Sequence, residues 1–304
     1  MKIALVTGAN GFIGRHCLPL LLAKGYEVHA VSSRIASSKI GKIHWHQVDL
    51  LDPKQTSDLI VEVKPSHLLH LAWYAVPQKY WTSIDNLNWV QASLNLLQCF
   101  YMNKGRRVVI AGTCAEYDWR FGYCSEHITP FSPTTLYGSC KHSLQNILHI
   151  FSKQSGLSAA WGILFFLYGP YEHSDRLVPS VILSLLRDHP AQCTHGNQIR
   201  DLLYVEDVAD AFVELLESDV SGAINIASGF PLTIKDVVYK IAEKMERKDL
   251  IQLGAIPAPP GEPPLLVANV SRLYNELGWH PRFTLDQGID QTIAWWKDHI
   301  KQGG

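Results

Sequence analysis

The sequence has no apolar run approaching the length of a membrane span. It also has no charge excess. The 27 Lys and Arg against 28 Asp and Glu leave a net charge of −1, so no basic field points to nucleic acid and no basic amphipathic helix to a membrane surface. The cysteines (Cys17, Cys99, Cys114, Cys124, Cys140, Cys193) form no C-x-x-C pair and have no histidine companion at zinc spacing. No metal is expected, and reduced thiols of a cytoplasmic enzyme are the plain reading. Nothing near the start resembles a signal peptide, since Lys2 leads directly into a strand-like run. Repeats and low-complexity stretches are absent as well. What remains is a chain of 304 residues, long enough for a large core and two lobes. Its nine tryptophans and twelve tyrosines are expected to pack in the core or line a pocket.

The organising stretch is Met1 to Lys24. Residues 2–7 form a short aliphatic and β-branched run suited to a strand buried on both faces. It enters Gly8-Ala9-Asn10-Gly11-Phe12-Ile13-Gly14, followed by Arg15 and an apolar helical pattern through Leu18, Leu21 and Leu22. Glycines between a buried strand and a helix leave backbone N–H groups and the positive helix end free for a pyrophosphate. Gly8 serves the tight turn, Gly11 the approach of phosphates, and Gly14 the packing of helix on strand. A glycine loop without a ligand is the bland alternative. Pro19, inside the helix, is expected to kink it.

Strands are expected at 27–31, 43–48, 67–72, 107–111 and 159–165, a loop at 35–42, and helices at 51–63, 86–103 and 135–153. This alternation predicts an α/β, Rossmann-type doubly wound parallel sheet. Past Tyr168-Gly169-Pro170 the rhythm changes. Helices at 178–186, 205–217, 234–245 and 285–296 are separated by short strands and Pro-rich joins. The expected division is a dinucleotide domain over 1–170 and a smaller mixed, mainly substrate-binding lobe over 171–304, with residues near 199–225 returning to the main domain.

On the helix at 135–153, Tyr137 and Lys141 lie one turn apart on one face, where an ammonium is expected to lower the phenol's pKa and make it a usable acid/base. The alternative is an exposed pair. Tyr137 is, however, the only tyrosine followed four residues on by lysine, and Thr113 lies just past the fifth strand, where parallel sheets place ligands.

With these features together, the chain resembles the extended short-chain dehydrogenase/reductases of the nucleotide-sugar epimerase, dehydratase and ketoreductase group. Gly8, Gly11 and Gly14 match the cofactor loop, with Asn10, Phe12, Ile13 and Arg15 around them. Asp49-Leu50 matches an adenine contact, and Leu71-Ala72-Trp73, with Phe165, the surroundings of the nicotinamide ribose. The resemblance makes Thr113, Tyr137 and Lys141 the catalytic triad. Tyr137 would carry the proton of a sugar oxygen, Lys141 would hold the ribose and tune the phenol, and Thr113 would fix the sugar oxygen. Arg200 would grip a diphosphate, its alternative being an ion pair with Asp201 or Asp207. Arg176 and Cys114 are the other candidate substrate contacts, although Cys114 also suits plain apolar packing. Of the histidines, His70 reads as a core residue, His142 is unassigned, and His173 falls near the sugar.

Departures from the family narrow the chemistry. Cys114 and Ala115 stand where 4,6-dehydratases carry acids, and Ala115 and Arg176 where GDP-fucose synthase carries its epimerising Cys and His. Neither activity is expected. Ile163 and Phe166 replace polar residues of other members and leave the nucleotide open. The second strand ends in Ser32-Ser33-Arg34 without the carboxylate that binds the ribose diol of NAD. NADP(H) is therefore preferred to NAD(H), although Ser-Ser-Arg is also ordinary loop composition. NADPH-dependent reduction of a 4-keto (deoxy)sugar nucleotide, serving cell-surface polysaccharide or glycoconjugate synthesis, is the leading expectation. A 4-epimerase with bound NAD and an NADP(H)-sensing regulator are the alternatives. Partners are a nucleotide sugar and, through helices 86–103 and 135–153 (Leu94, Leu97, Leu144, Ile147, Ile150), a second copy in a homodimer, with no nucleic acid and no membrane.

Overall fold

The computed structural model describes residues 2–34 and 42–302. The expected loop at 35–42 therefore lies, but for its last residue, outside the described residues. In chain order the elements are β1 (Ile3–Thr7), α1 (Gly14–Ala23), β2 (Glu27–Ser32), β3 (Ile43–Gln47), α2 (Pro53–Val63), β4 (His67–His70), α3 (Asp85–Met102), β5 (Arg107–Thr113), β6 (Tyr123–Cys124), α4 (Leu136–Ser155), β7 (Ser158–Leu164) and β8 (Phe166–Tyr168). There follow α5 (Leu177–Leu186), β9 (Ala191–Gln192), β10 (Ile199–Tyr204), α6 (Val205–Glu217), β11 (Gly222–Ile226), β12 (Pro231–Thr233), α7 (Ile234–Lys244), β13 (Ile251–Gln252), β14 (Leu265–Ala268), α8 (Ser271–Asn275) and α9 (Leu285–Gln302).

The main sheet has seven strands in the order β3-β2-β1-β4-β5-β7-β11, and every pairing in it is parallel. The order reverses at β1, and the crevice at that switch point lies beyond the carboxyl ends of β1 and β4. Alternation along the strands separates two layers. Ala4 and Val6 of β1 join α1 (Cys17, Leu18, Leu21) and α6 (Val208, Phe212) on one side. Leu5 joins α2 (Leu59, Ile60), α3 (Leu96, Phe100) and α4 (Leu144, Leu148) on the other. Pro19 lies inside α1 at an exposed position.

The C-terminal half contributes to both bodies. α6 covers α1, and β11 adds to the sheet beside β7. β10 instead centres a small mixed sheet, antiparallel to β12 and parallel to β8 and β14. A third core unites α5, α7 and α9 through Val181, Ile182, Val238, Ile241, Ile289 and Trp296. Phe12 and Ile13 of the glycine loop pack against this core, which ties the loop to the smaller lobe.

Candidate active site

The loop after β1 is shaped by backbone contact. Gly8 has φ +65°, and a Cβ on Gly14 would stand 2.3 Å from the Gly8 carbonyl oxygen, so α1 lies directly on the turn. Gly11 N–H donates to Gly8 O at 2.9 Å. No side chain caps α1; the Arg15 and His16 N–H groups turn back onto Gly11 O and Ile13 O, and no partner is seen for the N–H groups of Phe12, Ile13 and Gly14 among the described residues. These features fit a dinucleotide pyrophosphate. Arg15 straps the loop, its guanidinium donating to Asn10 O at 2.6 Å and Gly11 O at 3.1 Å and lying 3.9 Å from the Tyr171 ring centroid. It is thus tied to the loop and to Tyr171 rather than turned towards the end of β2.

At that end Ser32 is half-buried and accepts from Arg34 N–H at 3.2 Å, while Ser33 and Arg34 are exposed. Asp49 Oδ1 accepts from Leu51 N–H, and Leu50 is buried in the core. Thr7 Oγ1 accepts from the N–H groups of Leu71 and Ala72, both at 3.2 Å, which orients the turn into Trp73. Its own hydroxyl lies 2.7 Å from His70 Nδ1, and His70 Nε2 lies 2.9 Å from Ser93 Oγ, which donates to Trp89 O. Donation running from Thr7 through His70 to Ser93 satisfies every one of these atoms with a neutral imidazole. Burial pushes His70 down to about 3, with Lys141 adding to the effect, so His70 is a core residue.

Thr113 ends β5 and caps a short 3-10 turn, accepting from Ala115 N–H at 3.2 Å. Its side chain also acts on the Tyr137 phenol, opposing the rise that burial causes. Thr135 caps α4 through Gly138 N–H at 3.1 Å, and the Tyr137 ring is walled by Tyr80 at 4.8 Å, Trp81 at 5.8 Å and Trp73 at 6.5 Å. Lys141 is buried, donates to Ala111 O at 2.8 Å and lies 3.8 Å from the Trp73 ring centroid. Thr113, Tyr137 and Lys141 are therefore gathered around Trp73, at the carboxyl end of β5.

The electrostatics differ from the sequence expectation. Burial raises the Tyr137 phenol above its usual value and outweighs the lowering by Thr113, while the Lys141 amine is spent on Ala111 and Trp73. Burial lowers Lys141 itself from its usual value, opposed by the charge of Glu116.

Arg200, almost wholly buried, pairs with Glu262 Oε1 at 2.8 Å and not with the acids considered from sequence. Asp201 instead accepts from Ser228, Gly229 and Ala268, and Asp207 from the Arg282 and Phe283 N–H groups. The charge of Arg200 reaches Cys114, whose thiol burial raises far above its usual value, so Cys114 packs and does not ionise. Arg176 heads α5, with its guanidinium 5.5 Å from the Tyr80 ring centroid. Arg176 and Arg200 thus both reach groups that adjoin the triad. Phe165 is buried near Tyr117. His173 faces solvent beside Asp175, and His142 is fixed between Gln145, Asn146 and the Phe131 ring. At the far end of β2, Glu27, His29 and His44 bring donor atoms within 4.8 Å of one another, and His29 is already bonded to Glu27 and His46.

Sequence reasoning missed the aromatic wall of Tyr80 and Trp81, the buried Glu172, and Glu116. Burial raises both carboxyls, Glu172 to about 8. The Thr-x-x-Glu spacing of residues 113–116, a capping-box pattern, was the available signal for Glu116.

A seven-stranded doubly wound sheet, an open glycine loop at its switch point and a Tyr/Lys/Thr cluster beside it define an enzyme of the NAD(P)-dependent, extended short-chain dehydrogenase/reductase type. The family model described as "NAD dependent epimerase/dehydratase family" matches residues 4–227, and the chain belongs to that family. The chain is 26% identical to UDP-glucuronic acid decarboxylase 1 of Danio rerio over 99% of its own length and 74% of that protein. It is 26% identical to CDP-abequose synthase of Salmonella typhimurium over 96% and 97% of the two chains. Among solved structures, the UDP-glucose 4-epimerase of Thermus thermophilus in complex with NAD superposes with a TM-score of 0.82 at 25% identity, covering 97% of this chain and 99% of that one.

Proposed function

We propose that this enzyme reduces a 4-keto (deoxy)sugar nucleotide, using NADPH, in the synthesis of surface glycans. The end of β2 carries the proposal. Ser32, Ser33 and Arg34 present hydroxyls and a cation where a ribose diol would call for a carboxylate. A consumed cofactor distinguishes a reductase from an epimerase, which returns its hydride. The likeness to CDP-abequose synthase over nearly both whole chains supports the same reading.

The loop of residues 8–14 would hold the pyrophosphate, Ser32 to Arg34 the 2′-phosphate, and Lys141 and Trp73 would lie beside the nicotinamide ribose. When bound, NADPH supplies the hydride. The chain supplies the proton: burial keeps the Tyr137 phenol protonated at neutral pH, the form needed to give a proton to a carbonyl oxygen becoming an alkoxide. Thr113 donates to the same oxygen and fixes its distance. Ala115 and the un-ionised Cys114 offer no further acid or base for eliminating water. Arg176 and Arg200 would bind the substrate's phosphates, with Glu262 released from Arg200 as the diphosphate replaces it.

A 4-epimerase holding NAD is the second reading, favoured by the NAD in the Thermus structure. Titration with both cofactors separates the two. NADPH is expected to bind more tightly than NADH, and Ser32→Asp to weaken NADPH by about tenfold through repulsion of the 2′-phosphate. Equal affinities, or a preference for NADH, would transfer the assignment to the epimerase.

We also propose a homodimer through α3 and α4, on altered grounds. Leu97 and Leu144 are spent in the chain's own core, and Leu94 is partly so. Ile147 and Ile150 remain exposed, joined by Leu87, Tyr101 and Met102 on α3. Light scattering at micromolar concentration should give twice the chain mass, and a monomer mass would reject the pairing.

A further inference from the structure

A second carboxyl lies directly behind the triad. Glu116 is wholly buried, and its Oε1 accepts from Thr113 N–H at 2.8 Å and from the Trp161 indole N–H at 3.0 Å. Its Oε2 is equally buried and has no hydrogen-bond partner among the described residues. Such an oxygen is costly to leave unpaired unless a charge or proton answers it. The site is also built to admit the carboxyl. Trp161 comes from β7, and a Cβ on Gly112 of β5 would stand 2.0 Å from its indole nitrogen, so only glycine at 112 lets the indole cross to Glu116. Lys141 lies over the same indole, its Nζ 5.9 Å from the ring centroid.

We propose that Glu116 is the counter-charge that keeps Lys141 an ammonium inside the catalytic cluster, while its bonded oxygen positions Thr113. The proposal rests on the reading of Tyr137 and Lys141 as the working pair, and Glu116 acts through Lys141 without touching substrate. Two states of the pair differ by one proton passed from the carboxyl to the amine. Only the charged state gives Lys141 the donors and the positive field that a ribose and a phenol require.

The neighbouring groups leave Lys141 as the cation for this role. His70, from β4, is held neutral by Thr7 and Ser93. Tyr137 from α4, and Cys114 and Tyr117 from Glu116's own turn, all feel its charge and are all un-ionised at neutral pH. Burial raises Glu116, and Lys141 pulls it back; burial lowers Lys141, and Glu116 pulls it back. Each therefore favours the other's charged form.

Glu116→Gln tests this, because the amide oxygen still accepts from Thr113 and Trp161 while the charge is gone. Two readouts are taken against pH: turnover of NADPH with a 4-keto sugar nucleotide, and NADPH affinity by fluorescence. Loss of an anion beside Lys141 favours its neutral form, so the alkaline limb of the turnover profile should move down by about one unit. At pH 7.5 turnover should fall by about tenfold or more with little change in KM. Removing the same charge from beside Tyr137 would also move that limb, but it would leave NADPH binding unchanged. NADPH affinity should instead weaken as pH rises from 6 to 8, and this effect should vanish in a Lys141→Met background.

Affinity and pH profile matching the wild type would overturn the proposal, as would an undiminished effect without Lys141. Should no sugar nucleotide be turned over, the proposed function fails, while the binding measurement still decides the role of Glu116. If Glu116→Gln does not fold, Trp161→Phe removes the indole donor that holds Glu116 down, so the carboxylate is weakened rather than lost. The alkaline limb should then move down in the same direction as expected for Glu116→Gln, and an unmoved profile contradicts the proposal.

Discussion

Tyr137→Phe is expected to lower turnover by about 10²–10⁴-fold, the range that positioned acid/base groups supply. The substitution removes one hydroxyl and keeps the ring, which is held by Tyr80, Trp81 and Trp73. Any hydrogen bond lost to the Thr113 side chain is worth about 1 kcal/mol. The fold and the glycine loop should therefore survive, and NADPH should bind as in the wild type. The measurement is hydride transfer under saturating cofactor, with a melting curve alongside. A folded variant with near-normal turnover would remove the phenol from the chemistry and favour a cofactor-sensing role.

Gly14→Ala should act on the opposite side of the crevice, on binding. The new methyl would stand 2.3 Å from Gly8 O and 2.8 Å from Ala9 Cα. Both are backbone atoms, so no side chain can turn aside and α1 must lift from the loop. Overpacking of this kind costs about 1–3 kcal/mol. Lifting α1 also displaces the uncapped N–H groups that would face a pyrophosphate. Dinucleotide affinity should fall by about tenfold or more, with a lowered melting temperature. Calorimetric titration checks the first effect, and unchanged affinity would show that the loop does not hold the phosphates.

β1, β4, β5 and β7 were legible because each carries a buried aliphatic run beside helical patterns, where period and composition agree, whereas β3 (Ile43–Gln47) is only partly buried and was read from its place after the loop. β11 was not read as its seventh strand, since its place beside β7 is set by a crossover through α6 that no local pattern displays. β6, β9 and β13, of two residues each, are too short for any periodicity and exist through pairing with distant segments.

The site divides in the same way. Thr113, Tyr137 and Lys141 could be named because helix spacing and the strand-end rule both act locally. The partners of these residues come from far along the chain. Lys141 meets Ala111 across thirty positions, and Arg200 meets Glu262 across sixty-two. The direction of the Tyr137 shift also depended on burial, which a Tyr-x-x-x-Lys spacing does not report, and burial outweighed the lowering by Thr113.

The account turns on whether hydride is consumed. The most direct test mixes the purified protein and NADPH with a 4-keto-6-deoxy sugar nucleotide, following cofactor absorbance and the sugar product together. The account predicts one NADPH oxidised for each 4-hydroxyl formed, with little reaction on NADH. Interconversion of 4-epimers without net cofactor oxidation, by protein that retains NAD through purification, would contradict it.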